Sequence, residues 1–225
     1  MFRSLRNDGI FTPPSVGGSL IVPGNIGGMH WGGATWDEKQ RLIIAPVNRL
    51  PAVIRLIPQD QLAEARRAFP SRETTAQRGT PYAMSREFFL TPGGSPCIAP
   101  PWGELVAIHA DTGELAWHVP FGDLRDKLNA SNYPVVLTPP NLGGPVTTST
   151  GLVFIGAAFD NYLRAFDTRD GRELWKGALP TSARATPLFY TSRSGRQMVA
   201  IMAGGHDSPL SRIDNKLVVF ALPTR

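Results

Sequence analysis

Few places in this sequence combine a side chain able to do chemistry with the backbone freedom that a ligand needs. Ala203-Gly204-Gly205-His206 sets an imidazole directly after two glycines, and a glycine pair lets the main chain approach a bound molecule closely. Gly27-Gly28-Met29-His30-Trp31-Gly32-Gly33 places a second imidazole beside an indole inside a glycine-rich turn. Asp160-Asn161 stands between two apolar runs. Its carboxylate can fix a cationic partner, or simply cap a hairpin turn. Asn48, ahead of Arg49-Leu50-Pro51, adds a strand-borne amide. His109 and Asp167 read as turn polar groups, and His118 has no partner pattern. Cys97 is the sole cysteine, which excludes an internal disulfide and a cysteine-based zinc site. No Gly-x-Ser-x-Gly elbow, phosphate loop or His-x-x-x-His pair occurs.

The elements that must hold these groups are short strands. Between Gly143 and Gly177 the segments Val146–Thr148, Leu152–Ala157, Tyr162–Asp167 and Glu173–Trp175 are divided by Thr150-Gly151, Asp160-Asn161 and Arg169-Asp170-Gly171. Turn residues between strand-like runs predict an antiparallel meander. Such a sheet is too small to stand alone, and the sequence repeats it. Ala107-Ile-His-Ala-Asp-Thr-Gly113-Glu-Leu-Ala-Trp117 and Ala165-Phe-Asp-Thr-Arg-Asp-Gly171-Arg-Glu-Leu-Trp175 carry Ala and Gly at equal offsets and Trp at the same end, 58 residues apart. The glycine suits the positive φ of a turn and the indole offers an apolar face to a neighbouring sheet. Units that bury their faces only against one another mark a repeat fold.

Strands are also expected at Ser19–Val22, at Ala34–Trp36 and Leu42–Ala45, which form a hairpin, and at Glu104–Ile108 and Leu115–His118. The last unit supplies Thr186–Tyr190, Arg196–Met202 and Lys216–Ala221. Residues 48–101 interrupt the first sheet and read as a long ordered excursion, with Asp60 capping a short helix over Gln61–Phe69. Residues 121–141 read as a connector. The fold class is all-β: a partial β-propeller, about three four-stranded antiparallel blades, at approximately 27–121 (with the insertion 48–101), 141–179 and 183–222, within a single partial propeller domain over 1–225.

The formal charge is +5, carried mostly by arginines spread along the chain. Nucleic-acid binding would call for a clustered basic stripe with interleaved aromatics, so the expectation is no nucleic acid. A solvated surface, or attraction to an anionic membrane face, accounts better for the charge. No run reaches the length of a membrane span and no signal segment precedes the strands. The abrupt start suggests a fragment.

Taken together, PGNIGGMHWGG (23–33), NRLPAVIRLIP (48–58), GTPYAMSREFFLTPGGSPCIAPPWGELVAIHADTG (79–113), DNYLRAFD (160–167) and GRQMVAIMAGGH (195–206) resemble the C-terminal part of the membrane-bound quinoprotein dehydrogenases, in the glucose, quinate and shikimate branch. The resemblance implies an eight-bladed propeller with pyrroloquinoline quinone (PQQ) and a calcium or magnesium ion at its axis. It implies oxidation of a sugar, polyol or cyclic alcohol on the periplasmic side of the inner membrane, with electrons passed to ubiquinone. The catalytic aspartate, the metal ligands in large part, the membrane anchor and the N-terminal blades would lie upstream of this chain. No catalytic or metal-ligating residue is therefore assigned within it, and the isolated chain is expected to be inactive.

The cofactor-side candidates by resemblance are Asp160, His206, Asn48, Trp31 and His30. Asp160 matches the family's Asp-Asn-Tyr-Leu-Arg-Ala segment; the alternative is a hairpin cap. His206 matches Ala-Gly-Gly-His, which in the family faces the quinone and sugar pocket; the alternative is a loop histidine. His30 and Trp31 occupy a turn that in related quinoproteins carries Asn-Trp or a variant, and Trp31 can equally be packing. Asn48 matches a strand asparagine set against the quinone, with Pro46 competing for that place. Trp117 and Trp175 are read as structural. Two other readings are carried forward: a non-catalytic propeller scaffold sharing the Trp hairpins, and an inactive truncated relic of such an enzyme.

Overall fold

The computed structural model describes residues 2–24, 26–130, 134, 136–206 and 210–222. Within the 121–141 connector, residues 131–133 and 135 lie outside the described residues, as does Asn25 of the 23–33 segment. In chain order the strands are β1 (Ser19–Ile21), β2 (Gly28–Met29), β3 (Thr35–Asp37), β4 (Leu42–Asn48), β5 (Ala52–Pro58), β6 (Glu73–Ala76), β7 (Tyr82–Phe88) and β8 (Gly103–His109). They continue with β9 (Leu115–Pro120), β10 (Val146–Thr147), β11 (Leu152–Ile155), β12 (Tyr162–Asp167), β13 (Glu173–Ala178), β14 (Leu188–Thr191), β15 (Gln197–Ala203) and β16 (Lys216–Ala221). One helix, α1 (Leu62–Ala68), lies between β5 and β6. The chain forms two compact units: residues 1–27 with 49–99, and residues 28–48 with 100–225.

The larger unit holds three antiparallel sheets. In the first, β2 and β3 both pair with β4, and the order continues through β8 to β9. The second runs β10-β11-β12-β13 and the third β14-β15-β16. The hairpin copies seen in the sequence share their pairing, bulge and turn. Ala107 pairs with Trp117 and Ala165 with Trp175, and in each copy the register shifts immediately after the alanine. Gly113 and Gly171 both adopt positive φ (75° and 72°), and their N–H groups donate to the carbonyls of His109 (2.8 Å) and Asp167 (2.9 Å). Asp167 serves the turn as expected, its Oδ1 accepting the Arg169 N–H at 2.9 Å.

The indole at the end of each copy makes the contact to the next sheet. Trp117 Nε1 donates to the Thr168 carbonyl at 2.8 Å, and a Cβ on Gly171 would fall 2.6 Å from the Trp117 ring. Trp175 meets Phe154 of its own sheet (centroids 6.2 Å apart) and Phe220 of the third (5.0 Å). Beneath these contacts Leu42, Ile44 and Leu105 pack on Val153, Ile155 and Phe166, and Leu163 packs on Val199 and Ile201. Each sheet thus covers a face of its neighbour, the arrangement that lets small sheets stand.

The smaller unit holds a sheet that the reading of 48–101 as an ordered excursion does not resolve. The strands of that excursion form a four-stranded sheet with the N-terminal strand, in the order β1-β5-β7-β6. Its polar residues answer one another: the Glu87 carboxylate accepts from Arg55 (2.7 Å) and Arg72 (2.9 Å). Asp60 does not cap the helix. It lies in a 3-10 turn over Gln59–Gln61, and α1 starts after Gln61 with no side-chain cap.

Candidate functional site

The segments that lead into the first strands of the three sheets in the larger unit come together through their backbones. A Cβ on Gly32, just before β3, would lie 2.5 Å from the carbonyl carbon of Gly143. One on Gly143, before β10, would lie 2.7 Å from the Arg184 carbonyl oxygen, ahead of β14. One on Gly144 would meet the Gly32 carbonyl at 2.4 Å and Thr186 Oγ1 at 2.3 Å. No side chain fits at these positions, so the glycine pairs are required by close approach. The sequence candidates His30 and Trp31 stand at one end of this line.

His30 is half-buried and fixed at both nitrogens. Its Nδ1 accepts the Gly32 N–H at 3.0 Å, which puts the proton of the neutral ring on Nε2, and Nε2 donates to Asn141 Oδ1 at 3.3 Å. The Gly143 N–H, 3.5 Å from the same Nε2, is not its partner in that tautomer. Burial lowers the His30 pKa, opposed by the Asn141 hydrogen bond, so the ring is held neutral. Trp31 is 72% exposed and sits edge-on to His30 (5.7 Å between centroids). It is not a packing residue within this chain.

Asn48 is fully buried at the end of β4. Its Nδ2 donates to the Asn141 carbonyl (2.9 Å) and its Oδ1 accepts the Asn141 N–H (2.8 Å). Asn141 Nδ2 in turn donates to the Val47 carbonyl at 3.1 Å. These bonds tie the segment before Gly143 to the first sheet, and through Asn141 they orient His30. Asn141 was not among the sequence candidates. Nothing local marks it, since its partners lie about ninety positions away in the chain.

Asp160 is buried, and its carboxylate is engaged on both oxygens. Arg164 donates Nη1 to Oδ1 (2.9 Å) and Nη2 to Oδ2 (2.5 Å), and the Asp123 N–H donates to Oδ2 (2.8 Å). Arg164 also donates Nε to Glu173 at 2.9 Å. Burial pulls the Arg164 pKa down, but Asp160 and Glu173 outweigh it and raise it. The cation that Asp160 fixes in this chain is therefore a guanidinium four residues along, visible in the Asp-Asn-Tyr-Leu-Arg spacing.

His206 lies on the loop after β15. Its ring packs against Phe159, the residue before Asp160, with centroids 4.4 Å apart. Among the described residues its Nε2 is buried with no hydrogen-bond partner. The glycine pair ahead of it is held on both backbone groups. The Gly205 N–H donates to the Ser182 carbonyl (2.9 Å) and the Asp214 N–H to the Gly204 carbonyl (3.0 Å). Lys127, from the connector, donates to the carbonyls of Phe159 (2.5 Å) and Leu210 (2.6 Å) and to Asn161 Oδ1 (2.9 Å). Burial lowers the Lys127 pKa, partly offset by the charge of Asp160. The lysine bridges the Asp160 turn and the His206 loop, a role that no motif in the sequence announces.

The five candidates thus fall on one connected stretch of the larger unit, from the His30 turn through Gly143 and the segment 182–186 to the His206 loop, with the Asp160 turn beneath it. His118 has a partner after all: its Nδ1 lies 2.7 Å from Oε1 of the buried Glu104. Cys97 is exposed. Among the described residues no group of three or more His, Cys, Asp or Glu side chains is placed to hold a metal ion, and no helix is long and apolar enough to cross a membrane.

Comparison with known proteins gives the family and the fold. The chain is 40% identical over 227 residues to quinoprotein glucose dehydrogenase A of Acinetobacter calcoaceticus, covering 99% of this chain and 28% of that protein. It is 38% identical over 232 residues to quinoprotein glucose dehydrogenase of Escherichia coli K12, covering 99% and 29%. The chain therefore spans under a third of the length of these relatives. Among solved structures it resembles the quinohemoprotein alcohol dehydrogenase of Comamonas testosteroni, with a TM-score of 0.60, 20% identity, and coverage of 91% of this chain and 27% of that one. At that identity the likeness shows the fold, a β-propeller of which this all-β chain is a part. Residues 1–199 match the family described as glucose/ethanol/alcohol dehydrogenase, PQQ β-propeller domain, and the chain belongs to that family.

Proposed function

We propose that this chain is the C-terminal, cofactor-side part of a PQQ-dependent dehydrogenase that oxidises a sugar, with a polyol or cyclic alcohol as further candidates, and passes the electrons to ubiquinone on the periplasmic side of the inner membrane. The reading rests on similarity to quinoprotein glucose dehydrogenases along nearly the whole chain. The observation that carries it to particular residues is His206. Among the described residues its Nε2 is buried without a partner, after a glycine pair held on both backbone groups, and a buried polar atom left open there calls for a partner from outside.

The residues present fit such a ligand in part. His206 has hydrogen-bonding capacity to offer. Asp160 and Asn48 do not, because their side chains are committed to Arg164 and to Asn141. They support the site by fixing the two segments that frame it. His30, neutral with its proton on Nε2, is likewise occupied by Asn141, which leaves the exposed Trp31 ring as the contact surface of that turn. The calcium or magnesium ligands are assigned to the part of the longer protein outside this chain. When bound, the quinone would supply the two-electron acceptor and the cation a Lewis acid. This chain positions one side of that assembly and excludes water from it. The three sheets are read as blades at approximately 27–121, 141–179 and 183–222 of one propeller domain, with the 48–101 sheet as an insertion.

A chimera tests the proposal. This chain replaces the corresponding C-terminal part of the E. coli glucose dehydrogenase, and the product is reconstituted with PQQ and magnesium. Cofactor binding by absorbance and dye reduction with a sugar or quinate are expected, and both weaken in the His206→Ala chimera. A folded chimera that binds no PQQ refutes the reading. The isolated chain is expected to show no turnover, since the catalytic carboxylate is placed outside it.

A further inference from the structure

Arg184 stands in the middle of the stretch just described, between the Gly143 contact and Ser182. Its own carbonyl is the atom that a Cβ on Gly143 would strike. Two residues before it, the Ser182 carbonyl takes the Gly205 N–H that sets the His206 loop. The preceding Ala183 is buried in the core of the second and third sheets. The Arg184 backbone is therefore held between the Gly143 entry and the segment that sets the His206 loop.

Among the described residues its charge is nonetheless unanswered. Arg184 Nε is buried with no hydrogen-bond partner there, and burial lowers its pKa with no described carboxylate opposing the effect. The other arginines of this unit that lie near an acid are answered by it: Arg164 by Asp160, Arg125 by Asp123, Arg169 by Asp167. A guanidinium carries only donors and cannot shed its proton, so a buried Nε–H without an acceptor is completed when an anion approaches it. The Gly143 backbone beside its carbonyl supplies no negative charge. A planar fork beside a fixed backbone matches a carboxylate in particular.

We infer that Arg184 is an anion-binding residue that receives a carboxylate of the ligand seated against His206 and the glycine entries of the sheets. The inference deepens the proposed function and rests on it, since pyrroloquinoline quinone carries carboxylates on its fused rings. It assigns one of them to a residue of this chain.

The test uses the whole chain with nitrogen-15-labelled arginine. The Arg184 Nε–H signal is identified by its loss in Arg184→Lys, and PQQ, its carboxylate methyl ester and inorganic phosphate are titrated separately. PQQ is expected to move the Arg184 signal at a concentration about tenfold below that at which phosphate does, and the ester is expected to leave it in place. An Arg184 signal silent to PQQ while the His206 ring protons respond overturns the inference and leaves the cofactor reading standing. Equal response to phosphate and PQQ overturns the inference in favour of a non-selective cation. If Arg184→Lys does not fold, phenylglyoxal labelling of the wild-type chain read by peptide mass spectrometry replaces it. Protection of Arg184 by PQQ but not by the ester is then expected, and equal labelling in both overturns the inference.

Discussion

Trp117 and Gly171 make the sharpest test of how the sheets are held together. The indole of the first sheet lies over the turn of the second, hydrogen-bonded to the Thr168 carbonyl at 2.8 Å and 2.6 Å from where a Cβ on Gly171 would be. Trp117→Phe keeps a ring but removes the donor from a buried carbonyl, at a cost of about 1–2 kcal/mol. Trp117→Ala removes the ring as well and is expected to cost about 3–5 kcal/mol. Gly171→Ala places a side chain at a φ of 72°, worth about 1 kcal/mol, and also displaces the indole, worth about 1–3 kcal/mol. With Ala already at position 117 only the backbone part remains. The double mutant should therefore fall short of the sum of the two singles by about 1–3 kcal/mol. Urea unfolding of the four proteins, followed by far-UV circular dichroism, gives the cycle. Additivity to within about 0.5 kcal/mol, or a Trp117→Ala cost below about 1 kcal/mol, would refute the docking of one sheet on the next turn.

Three further outcomes are expected. Arg164→Met leaves the buried Asp160 carboxylate without its cation and should cost about 3–5 kcal/mol in urea, part of which returns in the Asp160→Asn, Arg164→Met double variant. The Asp167 carboxyl is held at about 2, chiefly by its hydrogen bond from the Arg169 side chain. A depressed pKa stabilises the fold above the ordinary carboxylate value, and that contribution is lost as pH falls toward about 2; carboxyl carbon-13 shifts should show it, with the titration moving upward in Arg169→Ala. Lys127→Met should speed hydrogen exchange at the Asp214 N–H, on the His206 loop, and leave the Gly171 N–H unchanged; equal rates at Asp214 would show that the lysine does not hold the loop.

What the sequence disclosed was what is local. The Trp hairpins were legible because Ala, Gly and Trp must recur at fixed offsets when a bulged hairpin turns through a positive φ and presents an indole to its neighbour. The interruption of the first sheet was legible too, since Leu42–Ala45 needed a partner and the strand pattern resumed near Glu104. The sheet within the excursion was not. Its strands carry Arg55, Arg72 and Glu87, which read as solvated polarity until the fold brings them into one ion-pair cluster, and its first strand comes from far upstream. Asp60 misled because a 3-10 turn intervenes between it and α1. At the site, residue types pointed to His206 and Asp160. Asn141, Lys127 and Arg184 escaped notice because their roles depend on long-range pairing and, for Arg184, on a partner that the fold withholds.

The strand pair β4 and β8 carries a consequence of a different kind. Asn48 and Gly103, where the chain departs and returns, are directly opposite each other in the ladder. Ends that already meet need no remodelling to be joined, and shortening a loop changes its closure entropy only slowly. The stretch between them can be lifted out and replaced by a tight turn, leaving an unbroken meander like the second sheet, while β1 would lose β5, its strand partner among the described residues. The excursion is in this sense a cassette: exchangeable among relatives as a block, provided the N-terminal strand that completes it travels along.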